Sequence, residues 1–174
     1  MSRNTSNNTP GSKWNILLAL VVCGSLLLGT GAAKHPVERP MKCHGTGTVV
    51  VDLAAMDIDP DFGPFLTWTI TGHSEMTHAG QCTETGSGRY YIVAGFEIGS
   101  GCSTTANGDE LHWDAFEIPG NGQTSLTWTG GTGQFENAAG GLTFAYTITK
   151  EEQIGTLLVR TFEYRDTGTG TITY

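Results

Sequence analysis

The chain has 174 residues, 25 of them glycine, with 38% hydrophobic and 15% charged residues and a formal net charge of −8. That length supports one domain with one core. The acidic excess repels phosphate and so disfavours nucleic acid and anionic membrane surfaces as partners.

In chain order, Arg3 and Lys13 give a basic, polar start, Ile16 to Leu28 is a 13-residue apolar run, and Gly31-Ala32-Ala33 supplies small residues. That is the pattern of a cleavable signal peptide over residues 1–33. The run falls short of the roughly 20 residues a bilayer-spanning helix needs, so no stable membrane insertion is expected after cleavage. Val22, not a small residue, precedes Cys23, and Leu26-Leu27-Leu28 continues the run beyond it, which argues against lipid attachment there. Cleavage after Ala33 leaves seven basic residues against 17 acidic ones, a formal charge of −10 on a secreted or periplasmic protein. Residues 34–44 read as an N-terminal tether and 45–174 as the folded domain.

From Gly45 onward the period is two. Leu66, Trp68 and Ile70 share one face of a strand while Thr67, Thr69 and Thr71 share the other. The same alternation marks Thr46 to Leu53, Ala79 to Thr85, Tyr90 to Ile98, Glu110 to Ile118, Ser125 to Thr129 and Leu142 to Thr149. A last strand runs from Thr156 to Tyr164 and continues as Gly170 to Tyr174, for about eight in all. Asn107-Gly108 and Asn121-Gly122 are hairpin signals, because both central residues of a type I′ turn need positive φ. Ala54 to Pro64, with Asp57, Asp59 and Asp61, reads as a loop, and helix is confined to one turn near Phe135 to Ala139. Gly45-Thr46-Gly47-Thr48 opens the domain and Gly168-Thr169-Gly170-Thr171 closes it in nearly the same words. Pairing those two segments removes both sheet edges, so the expected fold is all-β, a single eight-stranded antiparallel barrel, with a two-sheet sandwich as the alternative.

Three cysteines follow the signal. Cys82 and Cys102 are the expected disulfide, since both lie next to predicted strand ends separated by one intervening strand, while Cys43 is open to either. No Cys-x-x-Cys spacing supports thiol redox chemistry or structural zinc.

Thr129-Gly130-Gly131-Thr132-Gly133-Gln134-Phe135-Glu136-Asn137-Ala138-Ala139-Gly140 resembles the Gly-Gly-Thr-Gly-x-Phe-x-x-Ala-x-Gly signature of the allene oxide cyclase and dirigent-like barrels. Thr77-His78-x-Gly80, Ala106-Asn107-Gly108-Asp109 and the ending Gly170 to Tyr174 are similar to elements in secreted bacterial relatives of that group. The resemblance implies an eight-stranded barrel in which the glycines Gly130, Gly131 and Gly133 turn the chain at the rim, Phe135 plugs that end, and the small Ala138 and Gly140 let the next strand pack closely. Gln134 stands where these relatives usually carry Arg. No counterpart is found for the cyclase pocket residues or for the acids that dirigent proteins use on quinone methides, so the resemblance implies the fold and neither activity. Because such barrels often associate, it also makes a homo-oligomer one expectation.

Candidate chemistry is sparse. His73, Glu75 and His78 lie within six residues, and two imidazoles with a carboxylate suit a divalent metal or acid/base work. However, His73 and Glu75 fall on the threonine parity, which faces solvent. Glu110, His112 and Asp114 form a second polar ladder, which is also what any half-exposed strand shows. Trp68, Trp113, Trp128, Phe144 and Tyr146 read first as core and second as the lining of an apolar pocket, since eight strands leave room for packed side chains or one small ligand. Asp57, Asp59 and Asp61 lack the glycine and distal glutamate of a calcium loop. No nucleophile elbow, phosphate loop, dinucleotide fingerprint or His-Glu-x-x-His occurs, and no cofactor or metal is expected. Three functions remain in competition: an exported barrel that binds a small apolar molecule, an isomerase or cyclase with a lumen-facing acid or histidine, and a structural, self-associating envelope protein.

Overall fold

The computed structural model describes residues 37–118, 122–166 and 170–174. The expected signal peptide over 1–33 lies outside the described residues, as does Asn121 of the second hairpin signal.

The described residues form ten strands: β1 (Arg39–Met41), β2 (Cys43–Asp59), β3 (Gly63–Met76), β4 (Gly80–Tyr91), β5 (Phe96–Thr105), β6 (Glu110–Glu117), β7 (Gln123–Gly131), β8 (Ala139–Ile154), β9 (Leu157–Asp166) and β10 (Gly170–Thr173). One 3-10 turn, Gly133–Phe135, separates β7 from β8. Strands β2 to β9 pair antiparallel in sequence order, and β9 returns to β2, so eight strands close a ring. This is the antiparallel barrel expected from the alternation, and the sandwich alternative is set aside.

Closure differs in detail from the expectation. The opening Gly45–Val50 segment pairs with β9, from Tyr164 back to Val159, and not with the Gly/Thr segment at the end of the chain. Strand β8 is 16 residues long, enough to hold β9 on its second part and β10 on its first. The outer edge of β10 is then covered by β1, so residues 39–41 of the expected tether are a strand. The loop expected over Ala54 to Pro64 is also mostly strand: β2 and β3 continue to a turn at residues 60–62. There the Asp59 carboxylate accepts hydrogen bonds from the amides of Asp61 (2.9 Å) and Phe62 (3.2 Å). The strand expected over Tyr90 to Ile98 is instead a hairpin, with a turn at residues 92–95 that places Gly95 at φ 72°.

Pleating sends alternate residues inward. One outward row, matched across the register, runs Thr161, Thr48, Thr71, Thr85, Cys102 and His112. One inward row runs Trp68, Gly88, Gly99, Ala115, Leu126 and Leu142. The inward glycines make space for rings. A Cβ at Gly88 or Gly99 would overlap the indole of Trp68, and one at Gly86 or Gly101 that of Trp113. Large rings therefore occupy the space that the inward glycines leave.

The same parity removes the expected disulfide. Cys82 pairs with Thr105 and Cys102 with Thr85, on adjacent strands with no strand between them. The two cysteines are offset by an odd number of residues, so Cys82 faces the core while Cys102 faces out, and both are free thiols. Burial, with the charge of Glu84 adding to it, pushes the Cys82 thiol up to about 11, the environment of an inert core cysteine.

One end of the barrel is plugged. Met41, Leu111, Phe135 and Ile172 are each 1% exposed or less. Tyr174 meets the Phe135 ring edge-on at 5.5 Å.

Candidate functional site

The opposite half of the barrel is hollow. A cavity of about 130 Å³ lies inside it, walled by Val49, Trp68, Ile70, Trp113, Leu126 and Phe144. Into this apolar lining the alternation also points polar and charged groups: Glu84 from β4, Glu97 from β5, Glu117 from β6, Tyr146 from β8, and Arg160 and Tyr164 from β9. Glu97 and Arg160 are partly exposed, so the cavity meets solvent at the end where β5 and β9 begin.

Glu84 and Glu117 are each 8% exposed, and both are hydrogen-bonded. The Tyr164 hydroxyl donates to Glu84 Oε2 at 2.5 Å, and the Ser103 hydroxyl donates to Oε1 at 3.5 Å. Burial and then the charge of Glu84 push the Tyr164 phenol far up, which keeps it a donor. Thr124 Oγ1 donates to Glu117 Oε2 at 2.6 Å, and the Tyr146 hydroxyl donates to Oε1. The Tyr146 phenol is pushed up by burial and then by this same bond.

Glu97 stands directly across the ladder from Glu117. Burial pushes its carboxyl up to about 7, the charge of Glu117 adds to the effect, and Arg160 opposes it. Arg160 itself is tied outward, with Nε donating to Glu151 Oε2 at 2.6 Å. Trp68 is 8% exposed, and its indole N–H has no acceptor among the described residues. The arrangement can therefore hold a ring-sized body and address it with two hydrogen-bonded carboxylates, one carboxyl that titrates near neutral pH and one unused donor.

The aromatic candidates from the sequence divide. Trp68, Trp113, Phe144 and Tyr146 line the cavity, whereas Trp128 is core, 3% exposed, with Nε1 donating to the Thr171 carbonyl at 3.1 Å. The polar candidates lie outside the lumen. His73 and Glu75 occupy the outer face of β3, with Glu75 at 3.5 Å from His44 across the ladder. His78 sits in the turn after β3 with φ 75°, and its Nε2 lies 3.2 Å from the Pro40 carbonyl. Glu110 and His112 pair at 3.0 Å on the outer face of β6, next to exposed Asp114. With β4 and β5 between them, the two ladders do not meet. Among the described residues no group of three His, Cys, Asp or Glu side chains is placed to hold a metal ion.

The rim loop closes the plugged end. The Gln134 amide donates to Asp109 Oδ2 at 3.2 Å, and Gly133, at φ 55°, leaves space that the Asp109 carboxylate fills. Gly140, at φ 111°, passes so close to the Thr171 carbonyl that a Cβ would overlap it. Gly130 and Gly131 end β7, and Ala138 is 5% exposed under the loop.

Glu84, Glu97 and Glu117 were not singled out from the sequence. Their signal was parity: Glu117 shares its strand face with Leu111, Trp113 and Ala115, and Glu84 shares its face with Cys82 and Gly86.

No family model matches the chain, and no curated protein is similar to it. Among solved structures it is similar to the pterocarpan synthase dirigent protein GePTS1, with 12% sequence identity and a TM-score of 0.49 over 80% of this chain and 89% of that one. The barrel itself rests on the closed ring of strand pairs.

Proposed function

We propose that this is an exported barrel that holds one small, mostly apolar molecule in its lumen. The observation that supports the reading is the hollow half: a cavity of about 130 Å³, walled by aromatic and aliphatic side chains, with only a few convergent polar groups. A dry cavity of roughly 150 Å³ is enough to bind benzene, so the space suits a body of about one ring, with a longer molecule extending through the mouth. Native mass spectrometry of the protein purified from its own host's periplasm or medium tests this. An extra mass lost on denaturation, and absent from Ala115→Phe, which fills the lumen, is the expected result. Bare protein at the calculated mass, together with no binding of single-ring compounds, overturns it. The same spectrum reads the oligomeric state.

A second reading, an isomerase or cyclase, is favoured by one group. A carboxyl with a pKa of about 7 facing an apolar cavity both gives and takes protons near neutral pH. Recovery of an added ligand unchanged after incubation supports the binding role, and recovery as a rearranged isomer of equal mass supports the enzyme.

A further inference from the structure

We propose that the lumen selects organic cations: an ammonium carried on a body of about one ring, with the charge at Glu97 and Glu117 and the ring against Trp68 and Phe144. This rests on the reading of the lumen as a binding site and adds the chemical class of its ligand.

Charge is the first argument. The lining contains three acids, Glu84, Glu97 and Glu117, against one base, Arg160, whose Nε is already engaged by Glu151 at 2.6 Å. A cleft lined by one sign of charge and walled by low-dielectric side chains concentrates counter-ions of the opposite sign. Acceptor capacity is the second. Glu84 and Glu117 receive hydroxyl hydrogen bonds from Tyr164, Ser103, Thr124 and Tyr146. Among the described residues the Glu97 carboxyl receives none, so it has the most acceptor capacity to offer a ligand. An ammonium brings three donors and a positive charge to that place. Aromatic walls are the third, since Trp68 and Phe144 give the ligand's ring aromatic surface to pack against.

The fourth argument is independent of the acids. The Trp68 side chain is more than nine-tenths buried, lines the cavity, and carries an N–H with no acceptor among the described residues. A buried donor left unmatched is costly, and an oxygen on the ligand, such as a hydroxyl near the ammonium, satisfies it.

Affinity should follow the ionisation of Glu97, whose carboxyl lies at about 7. The groups facing it are Tyr90 on β4, Glu117 on β6, Tyr146 on β8 and Arg160 on β9, with Glu84 deeper in the lumen. The ionised form binds a cation and the protonated form does not, so affinity for an amine rises with pH.

The test is calorimetric titration of the intact barrel at pH 6 and pH 8 with three probes of one shape: 2-phenylethylamine, 2-phenylethanol and 3-phenylpropionate. The amine should bind at least about ten-fold more tightly than the alcohol at pH 8, and the carboxylate should not bind. Amine affinity should rise by up to about ten-fold from pH 6 to pH 8, the change in ionised fraction of a group titrating near 7, while alcohol affinity stays level. Glu97→Gln should hold the amine at its pH 6 affinity and leave alcohol binding intact, which also reports that the variant is folded. Equal affinity for amine and alcohol, or preference for the carboxylate, overturns cation selection while the lumen site stands. No binding of any probe overturns both.

Discussion

At one end of the barrel the inward positions are Met41, Leu111, Phe135 and Ile172, sealed by the rim loop and by the added strands β1 and β10. At the other, the same inward parity presents Glu97, Glu117, Tyr146 and Arg160 around an empty volume. The plugged end adds β1, β10 and a 3-10 turn to the ring, so the contrast comes from added backbone as well as from side-chain identity. The plugged end gains stability from area removed from water. The hollow end gives up part of that area and keeps carboxyl groups that must be hydrogen-bonded, neutralised or matched by a ligand. Stability and function are thus separated along the barrel axis.

That contrast can be broken most severely from the plugged end. Phe135→Ala removes a ring with no exposed surface and should cost about 3–5 kcal/mol, read by denaturant unfolding. A loss below about 1 kcal/mol would mean that this end is not where the barrel is held together. Next comes the support of the lumen wall. Gly88→Ala sets a methyl group into both the Trp68 indole and the Ile98 carbonyl, which should cost about 1–3 kcal/mol and shift the tryptophan emission. Unchanged emission and stability would show that the ring does not occupy the space above Gly88.

A smaller and pH-dependent effect sharpens the other side of the comparison. Glu97 titrates at about 7 in the fold against 4.5 as a free side chain, so the folded state binds the extra proton between those values. Stability contributed by this group is fully present below pH 4.5 and is lost as pH rises through 7. Glu97→Gln should therefore match the parent in melting temperature near pH 4.5 and exceed it at pH 8; the reverse order would place Glu97 outside the apolar lining. The smallest effect is expected outside the barrel. His112→Ala breaks an exposed pair with Glu110 and should change stability by less than about 0.5 kcal/mol with no change in ligand binding. A loss of binding there would move the site from the lumen to the outer face of β6.

Much of this organisation was legible as alternation. Leu66-Thr67-Trp68-Thr69-Ile70 states which face is core, Asn107-Gly108 marks a hairpin where Gly108 does adopt φ 89°, and the Gly-rich segment before Phe135 marks a tight turn. The misreadings have different causes, and glycine shows two of its roles here. Gly86, Gly88, Gly99 and Gly101 lie within strands because rings from other strands occupy the space above them. Nothing local announces that, whereas Gly95, inside the strand expected over Tyr90 to Ile98, is a true turn residue at φ 72°. The polar candidates failed for another reason. His73, Glu75, His112 and Asp114 stand out because they are clustered in sequence, whereas Glu84, Glu97 and Glu117 are far apart in the chain: Glu97 and Glu117 meet across the ladder, and Glu84 joins them only by lining the same cavity.

The sequence by itself determined that the domain is all-β, where the threonine face and the apolar face lie along each strand, and that one loop turns on glycine, because these follow from period, propensity and φ. Closure of the ring through β9, the outward turn of Cys102 away from Cys82, and the convergence of three glutamates on one apolar space were decided by the tertiary structure. Register is the physical reason: a one-residue shift between partners exchanges inside for outside, and register is set by contacts between strands that no single segment contains.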